Sequence, residues 1–238
     1  MRHSKFWLKC AVAVAVLLMS GLLAPAASAT VVGSGGNCAK IGATKVVKGV
    51  LFSCVKNSES LKVWKKVLCA QGGICVVGDT GPGGGTVFYA ATSKFTSTGS
   101  DCGTVCRYLE AAPTDIAAGK SDWCSDRTTR LNIVATGIGT GMSNTIIART
   151  TCTSGAIQQA ADYKNNGKSD WHLPSKDELS LLQHNKSSIG GLSTGFYWSS
   201  SERNDDFGNV FFQEFSYGGA QPVSGKGGKF YVRPVRAF

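Results

Sequence analysis

Residues 169–182 read Ser-Asp-Trp-His-Leu-Pro-Ser-Lys-Asp-Glu-Leu-Ser-Leu-Leu, and the periodicity changes in the middle of this stretch. Trp171, His172 and Leu173 form a short strand that Pro174 stops. Ser175 and Glu178 stand three apart as a capping box, in which each side chain takes an orphan backbone N–H at the start of a helix. Leu179, Leu181 and Leu182 then supply the helix's apolar face. Downstream the chain returns to strands at Phe196-Tyr197-Trp198, at 209–215 and at 229–235. Upstream, a second helix is expected around Ser154 to Tyr163, and residues 76–89 read as a Gly/Pro turn between two strands. Strands and about two helices that do not alternate regularly give an α+β fold with a mainly antiparallel sheet.

Further toward the N-terminus the composition shifts. Val46-Val47, Gly49 to Val55 and Leu61 to Trp64 are β-branched and aromatic runs, broken by Gly or by Asn57-Ser58-Glu59-Ser60. They predict a small β-module over 30–75 with too little core to stand without a staple. A bridge between Cys38 and Cys54, with Phe52 and Trp64 beside it, would supply one. The expected organisation is a signal at 1–29, this module at 30–75 and a larger domain at 76–238. The pentapeptide Gly-Lys-Ser-Asp-Trp occurs at 119–123 and again at 167–171, in flanks that do not match. It reads as two similar turns leading into strands.

Residues 1–9 carry Arg2, Lys5 and Lys9 and no acid, and an apolar run follows from Ala11 to Leu23. That run is shorter than the ~20 residues a membrane span needs. It ends in Pro25 and Ala27-Ser28-Ala29, so a cleaved export signal is expected, with Thr30 as the new N-terminus and no transmembrane anchor afterwards. Cleavage removes Cys10 and leaves Cys38, Cys54, Cys69, Cys75, Cys102, Cys106, Cys124 and Cys152. An even set in an exported chain implies disulfides, and neighbour pairing (38–54, 69–75, 102–106, 124–152) is the simplest of many connectivities. Zinc at Cys102-x-x-x-Cys106 would need a second pair and reduced thiols.

Charge is uneven. Residues 30–75 hold seven lysines (Lys40, Lys45, Lys48, Lys56, Lys62, Lys65 and Lys66) against Glu59 alone, net +6, whereas 76–238 hold fifteen basic and fourteen acidic side chains. The lysines are expected to tether the protein to an anionic surface such as an acidic cell-wall polymer. Sequence-specific nucleic-acid binding is not expected, because the module has few aromatics to stack on bases. Familiar catalytic patterns are absent. The mature chain has only His172 and His184, no G-x-S-x-G elbow, and Gly-Lys-Ser triplets without the glycine that a phosphate loop requires. Gly137 to Gly141 lacks the strand and acid of a dinucleotide site.

Four segments in order carry a family pattern: Val77 to Gly85 with Val87-Phe88-Tyr89; Leu109-Glu110-Ala111-Ala112-Pro113; Ser169 to Leu179; and Tyr197 to Glu202 closing with Val232 to Phe238. Residues 76–238 thereby resemble the Lcl-type C-terminal domain family, named after a collagen-like bacterial adhesin. The resemblance implies a fold related to C-type lectins and to the formylglycine-generating enzyme. It also implies a binding role, associated in the adhesin with sulfated glycans and trimer formation. The reactive cysteine pair of the enzyme has no counterpart, since no cysteine follows Cys152.

The remaining candidates are loops. Arg203, Asn204, Asp205 and Asp206 follow the Trp198 strand, and Lys226 and Lys229 lie in a Gly-rich loop over 217–229. These six are the expected ligand contacts. Glu202, Asn204, Asp205 and Asp206 offer oxygens suited to Ca²⁺, but a solvated turn is the favoured reading of them and no cofactor is expected. Gln221-Pro222-Val223 stands where Ca²⁺-dependent lectins carry a carboxylate. Trp123, Trp171 and Trp198 are expected in the core. The sequence thus predicts a secreted, non-catalytic, adhesin-like protein that binds an extracellular glycan or surface protein. The alternatives are a structural envelope component or an exported enzyme.

Overall fold

The computed structural model describes residues 33–117, 119–204 and 208–238. The expected signal at 1–29 and the expected start at Thr30 lie outside them, as do Asp205 and Asp206.

Val46-Val47 and Val50-Leu51 flank Lys48-Gly49, which closes a two-residue hairpin. Both residues have positive φ, 49° and 75°, the turn whose twist matches that of paired strands. The turn sets the register of β1 (Thr44–Val47) on β2 (Val50–Lys56), with Val47 opposite Val50 and Thr44 opposite Ser53. β3 (Lys62–Lys66) pairs along the other side of β2 after a turn held by Asn57, whose Oδ1 accepts the Glu59 and Leu61 backbone N–H at 3.1 and 2.9 Å. Asn37 bridges to Val63 on the far edge of β3. Cys38 and Cys54 are disulfide-bonded, and Cys54 and Phe52 are buried beside the bridge.

The body runs β4 (Thr86–Phe95), β5 (Cys106–Ala111), α1 (Thr140–Arg149), α2 (Ala156–Asp162), α3 (Lys176–His184), α4 (Lys186–Ile189), β6 (Phe196–Glu202), β7 (Val210–Glu214), β8 (Val223–Ser224) and β9 (Val235–Ala237). β4-β5-β9 form one antiparallel sheet and β6-β7-β8 another, so the chain end is laid against β5. The fold is α+β with mainly antiparallel sheets. The expected strand over 229–235 is shorter: residues 230 and 231 make isolated bridges and β9 starts at Val235.

Among the described residues four α-helices stand where about two were expected. α1 escaped the sequence reading because Thr-Gly-Met-Ser-Asn-Thr-Ile-Ile-Ala-Arg is poor in strong helix formers and starts from Gly139 without a side-chain cap. Tertiary contacts hold it instead. The Gly139 N–H donates to Glu178 Oε1 at 2.8 Å, and Asn144 Nδ2 donates to Ala135 O at 2.8 Å. At Gly141 a Cβ would collide with the Glu178 carboxylate and the His172 ring. α3 begins as the sequence dictates, with Ser175 and Glu178 forming a complete capping box.

Two cores fill the body. Trp123, Ile157, Leu173, Trp198 and Val232 build one, while Phe88, Leu109, Leu179, Leu182, Tyr197 and Val235 build the other. The Cys69–Cys75 disulfide packs with Val87, Tyr108 and Phe238, and Cys102–Cys106 and Cys124–Cys152 complete four bridges in neighbour pairing. The two Gly-Lys-Ser-Asp-Trp copies share three features though their bridging differs, Ser121 pairing with Phe230 and Lys168 with Asn165. Gly119 and Gly167 have φ of 76° and 73°, each Trp is buried, and each Asp holds a cation, Arg127 and Lys229 on Asp122 and Arg236 on Asp170. Among the described residues no helix is long and apolar enough to cross a membrane.

Candidate functional site

Strand register decides which lysines share a face. Directly opposed residues of antiparallel strands point the same way, so Lys45, Phe52 and Lys66 share one face with Cys54 and Trp64 and with Lys56 and Lys62. The other face carries Thr44, Ser53 and Lys65, flanked by Val55 and Val63 on one side and Val46 and Leu51 on the other. On the first face two ammonium groups are already engaged. Lys45 Nζ lies 4.6 Å from the Trp64 ring centroid, and Lys62 Nζ donates to Ala39 O at 3.1 Å. Lys56 and Lys62 sit opposite one another, a like-charge pair that a single sheet tolerates only at some cost. Lys40 and Lys48 are exposed in turns beside the strands, and Lys65 is exposed on the second face. Among the described residues none of the seven is ion-paired with a carboxylate.

The C-terminal loops are organised differently. Lys226 is only 2% exposed; its Nζ bonds Glu202 Oε1 at 2.6 Å, also contacts Thr129 O, and lies over the Trp123 ring. Lys226 is therefore not a loop contact for a ligand. A buried ammonium needs a partner, and Glu202 supplies it. Glu202, the first oxygen donor proposed for Ca²⁺, also accepts the Leu131 N–H at 3.0 Å and the Ile133 N–H at 3.0 Å. Asn204 Oδ1 accepts from Arg130 Nη2 at 2.9 Å, so it too is engaged within the protein. Arg203 is exposed and has its own partners, while Asp205 and Asp206 lie outside the described residues. Lys229 reaches Asp122 Oδ1 at 2.6 Å and remains 62% exposed. Lys229 and Arg127 hold the Asp122 carboxyl below the usual carboxylate range. Of the six expected contacts the four described are thus each engaged within the protein, and Lys226 is withdrawn from the surface altogether.

Two buried networks went unseen in the sequence. Arg236 contacts Asp170, Glu110 at 3.1 Å and Asp101 at 3.1 Å. Glu110 in turn accepts the Gly83 N–H at 2.9 Å and the Gly85 N–H at 3.0 Å, fixing the Gly/Pro turn. Burial pushes the Glu110 carboxyl up, against the pull of Gly83 and Arg236. Elsewhere Tyr197 Oη donates to Asp115 Oδ2 at 2.7 Å and Arg233 Nε to Asp115 Oδ1 at 2.8 Å; burial first, then Asp115, raises the tyrosine's ionisation above its usual range. His172 is fully buried with Nε2 3.4 Å from Glu178 Oε2, without hydrogen-bond geometry. Trp123 and Trp198 donate Nε1–H to Ser199 O and Ser121 O, both at 2.8 Å, as core tryptophans should. Nothing in local sequence marks the charged partners, because Arg236 lies 66 residues from Asp170 and 126 from Glu110, and Asp115 lies 82 from Tyr197 and 118 from Arg233. Among the described residues no three His, Cys, Asp or Glu come together in a way that could hold a metal ion.

The network residues Glu110, Glu178, Glu202, Arg233 and Arg236 all fall within residues 63–236, the stretch matched by the model of the Lcl C-terminal domain. The chain belongs to that family. The Lcl C-terminal domain match thus takes in β3 and the whole body up to β9. No curated protein matches the chain. Among solved structures it is similar to a fimbrial protein from Bacteroides ovatus, at 16% identity and a TM-score of 0.43 over 65% of this chain and 44% of that one. The chain therefore spans less than half of that protein's length, and so slight a likeness carries no argument about ligand or assembly.

Proposed function

We propose that this Lcl C-terminal domain protein is a secreted, non-catalytic, adhesin-like binding protein of the cell surface or extracellular matrix. Its N-terminal sheet holds it to anionic surfaces, such as an acidic cell-wall polymer, while the C-terminal domain recognises a glycan or a surface protein. The segregation of charge carries this reading. In the body the buried cations are drawn into ion pairs, Arg236 with Glu110 and Asp170, Arg233 with Asp115 and Lys226 with Glu202, and fourteen acids offset fifteen bases over 76–238. In the sheet seven lysines face one acid, Glu59, within 33–75. Lys56 and Lys62 are direct cross-strand neighbours, and a module with this net charge and, among the described residues, no carboxylate pairing for its lysines favours an anionic partner.

Four disulfides support export, since such bridges persist in oxidising compartments. The body's buried acids are committed to backbone N–H groups and cations, which favours a binding role over chemistry. Family kinship supports reading the body as a C-type-lectin-like scaffold whose loops carry recognition. The test compares the chain over 30–238 with a variant carrying Gln at all seven lysines, on isolated cell walls across a salt series. The parent should elute at clearly higher salt. Co-elution of the two would sink the tether.

A further inference from the structure

We propose that the Lys65 face of the N-terminal sheet is a binding groove for a strand of acidic polysaccharide, an inference that rests on the anionic attachment proposed above and gives it a location. Two depressions on this sheet meet at Val55 and Lys65. One, of about 530 Å³, is bounded by Ser34, Asn57 and Val63; the other, of about 450 Å³, by Thr44, Leu51 and Ser53. Because they share residues they form one groove running across three strands. At ~4.8 Å between strands, that is room for several sugar rings instead of one small anion.

The lining has the chemistry of a sugar-acid site. Half-buried Leu51, Val55, Val63 and Val67 give an aliphatic floor, and Thr44, Ser53 and Ser34 put hydroxyl groups along it. Lys65 is exposed at the junction, and no acidic side chain borders either depression. The opposite face cannot serve in the same way. It is filled by Phe52, Cys54 and the Cys38 bridge, and Lys45 and Lys62 are engaged with Trp64 and Ala39. Charge alone would make all seven lysines equivalent, whereas the groove sets Lys65, the one lysine common to both depressions, apart from Lys56 and Lys66, which each border one, and from Lys62, which borders neither. All seven cations here are lysines, point charges suited to scattered carboxylates more than to bidentate capture. The one aromatic bordering the groove is the half-buried Trp64, whose ring already carries the Lys45 ammonium, too little for stacking successive bases, which sets a polysaccharide apart from a nucleic acid.

The test uses the chain over 30–238 with Lys65→Gln and, separately, Lys62→Gln, two changes of equal charge on opposite faces. Binding to polygalacturonate is measured by titration at physiological salt, with neutral dextran and duplex DNA as comparison polymers and thermal unfolding to check the fold. Lys65→Gln should weaken polygalacturonate binding about tenfold, the loss of one charge-assisted contact, and Lys62→Gln less than about twofold. A third variant, Val55→Asp, puts an acid on the groove floor and should abolish binding. Equal losses in the two lysine variants would overturn the groove while leaving the electrostatic tether standing. Equal affinity for DNA would overturn the choice of polysaccharide. Absence of polygalacturonate binding by the parent would sink the tether and the groove together.

Discussion

Replacing Arg236 with Met removes a cation that is 1% exposed and keeps most of its volume. Left behind are Glu110, fully buried and 3.1 Å from the lost guanidinium, and Asp170, 7% exposed. Removing one member of a buried pair typically costs about 3–5 kcal/mol, because the remaining charge has no counter-ion. For a domain of this size that is a fall in melting temperature of roughly 6–20 °C, at about 2–4 °C per kcal/mol. The loss should also depend on pH, and linkage gives the sign. Burial already raises the Glu110 carboxyl, and Arg236 is one of the influences holding it down. Without the arginine the folded-state pKa rises further above its unfolded value near 4.3. The variant's penalty is then fully present at neutral pH and is lost as pH falls through the raised folded pKa, where Glu110 binds a proton. Urea unfolding of parent and Arg236→Met at pH 7 and pH 4 measures it. A loss under about 1 kcal/mol at pH 7, or one that does not shrink at pH 4, would refute the argument that a buried counter-ion holds the Gly83–Gly85 turn to β5 and β9.

Two further outcomes follow from the same reasoning. Lys226→Ala, which strands the buried Glu202 carboxylate, should lower stability by about 3 kcal/mol or more in urea unfolding, whereas Lys229→Ala, at an exposed pair with Asp122, should change it by less than about 1 kcal/mol; the reverse order would place Lys226 at the surface. The chain over 30–238 should show no free thiol, and in the chain-entropy model removing Cys124–Cys152, which spans 28 residues, should cost about 3.5 kcal/mol against about 2 kcal/mol for Cys102–Cys106, which spans 4. Equal losses would mean that loop length does not govern these bridges.

What the sequence determined by itself is local. The Ser175–Glu178 capping box is legible because both partners lie within one helical turn, and the even cysteine count announces bridges, with neighbour pairing only the simplest of many arrangements until the structure selected it. The β-branched runs broken by Gly and by Asn57 to Ser60 announce a small β-module, while the positive φ of Lys48 and Gly49 that closes its first hairpin came with the structure. The excess of lysine over acid in the first module is a matter of counting, and so is the want of a cysteine after Cys152. Tertiary structure decided the rest. α1 exists because Glu178, almost forty residues away, accepts the Gly139 N–H, not because its own residues favour a helix. Lys226 and Glu202 look like loop charges in the sequence and become a buried pair only when the 217–229 loop folds over Trp123. Arg236 gains meaning only when β9 is laid beside β5, bringing it to an acid 126 residues earlier. Lys65 differs from Lys62 and Lys66 only through strand register, because a period of two sends neighbouring side chains to opposite faces and pairing fixes which of those faces is filled.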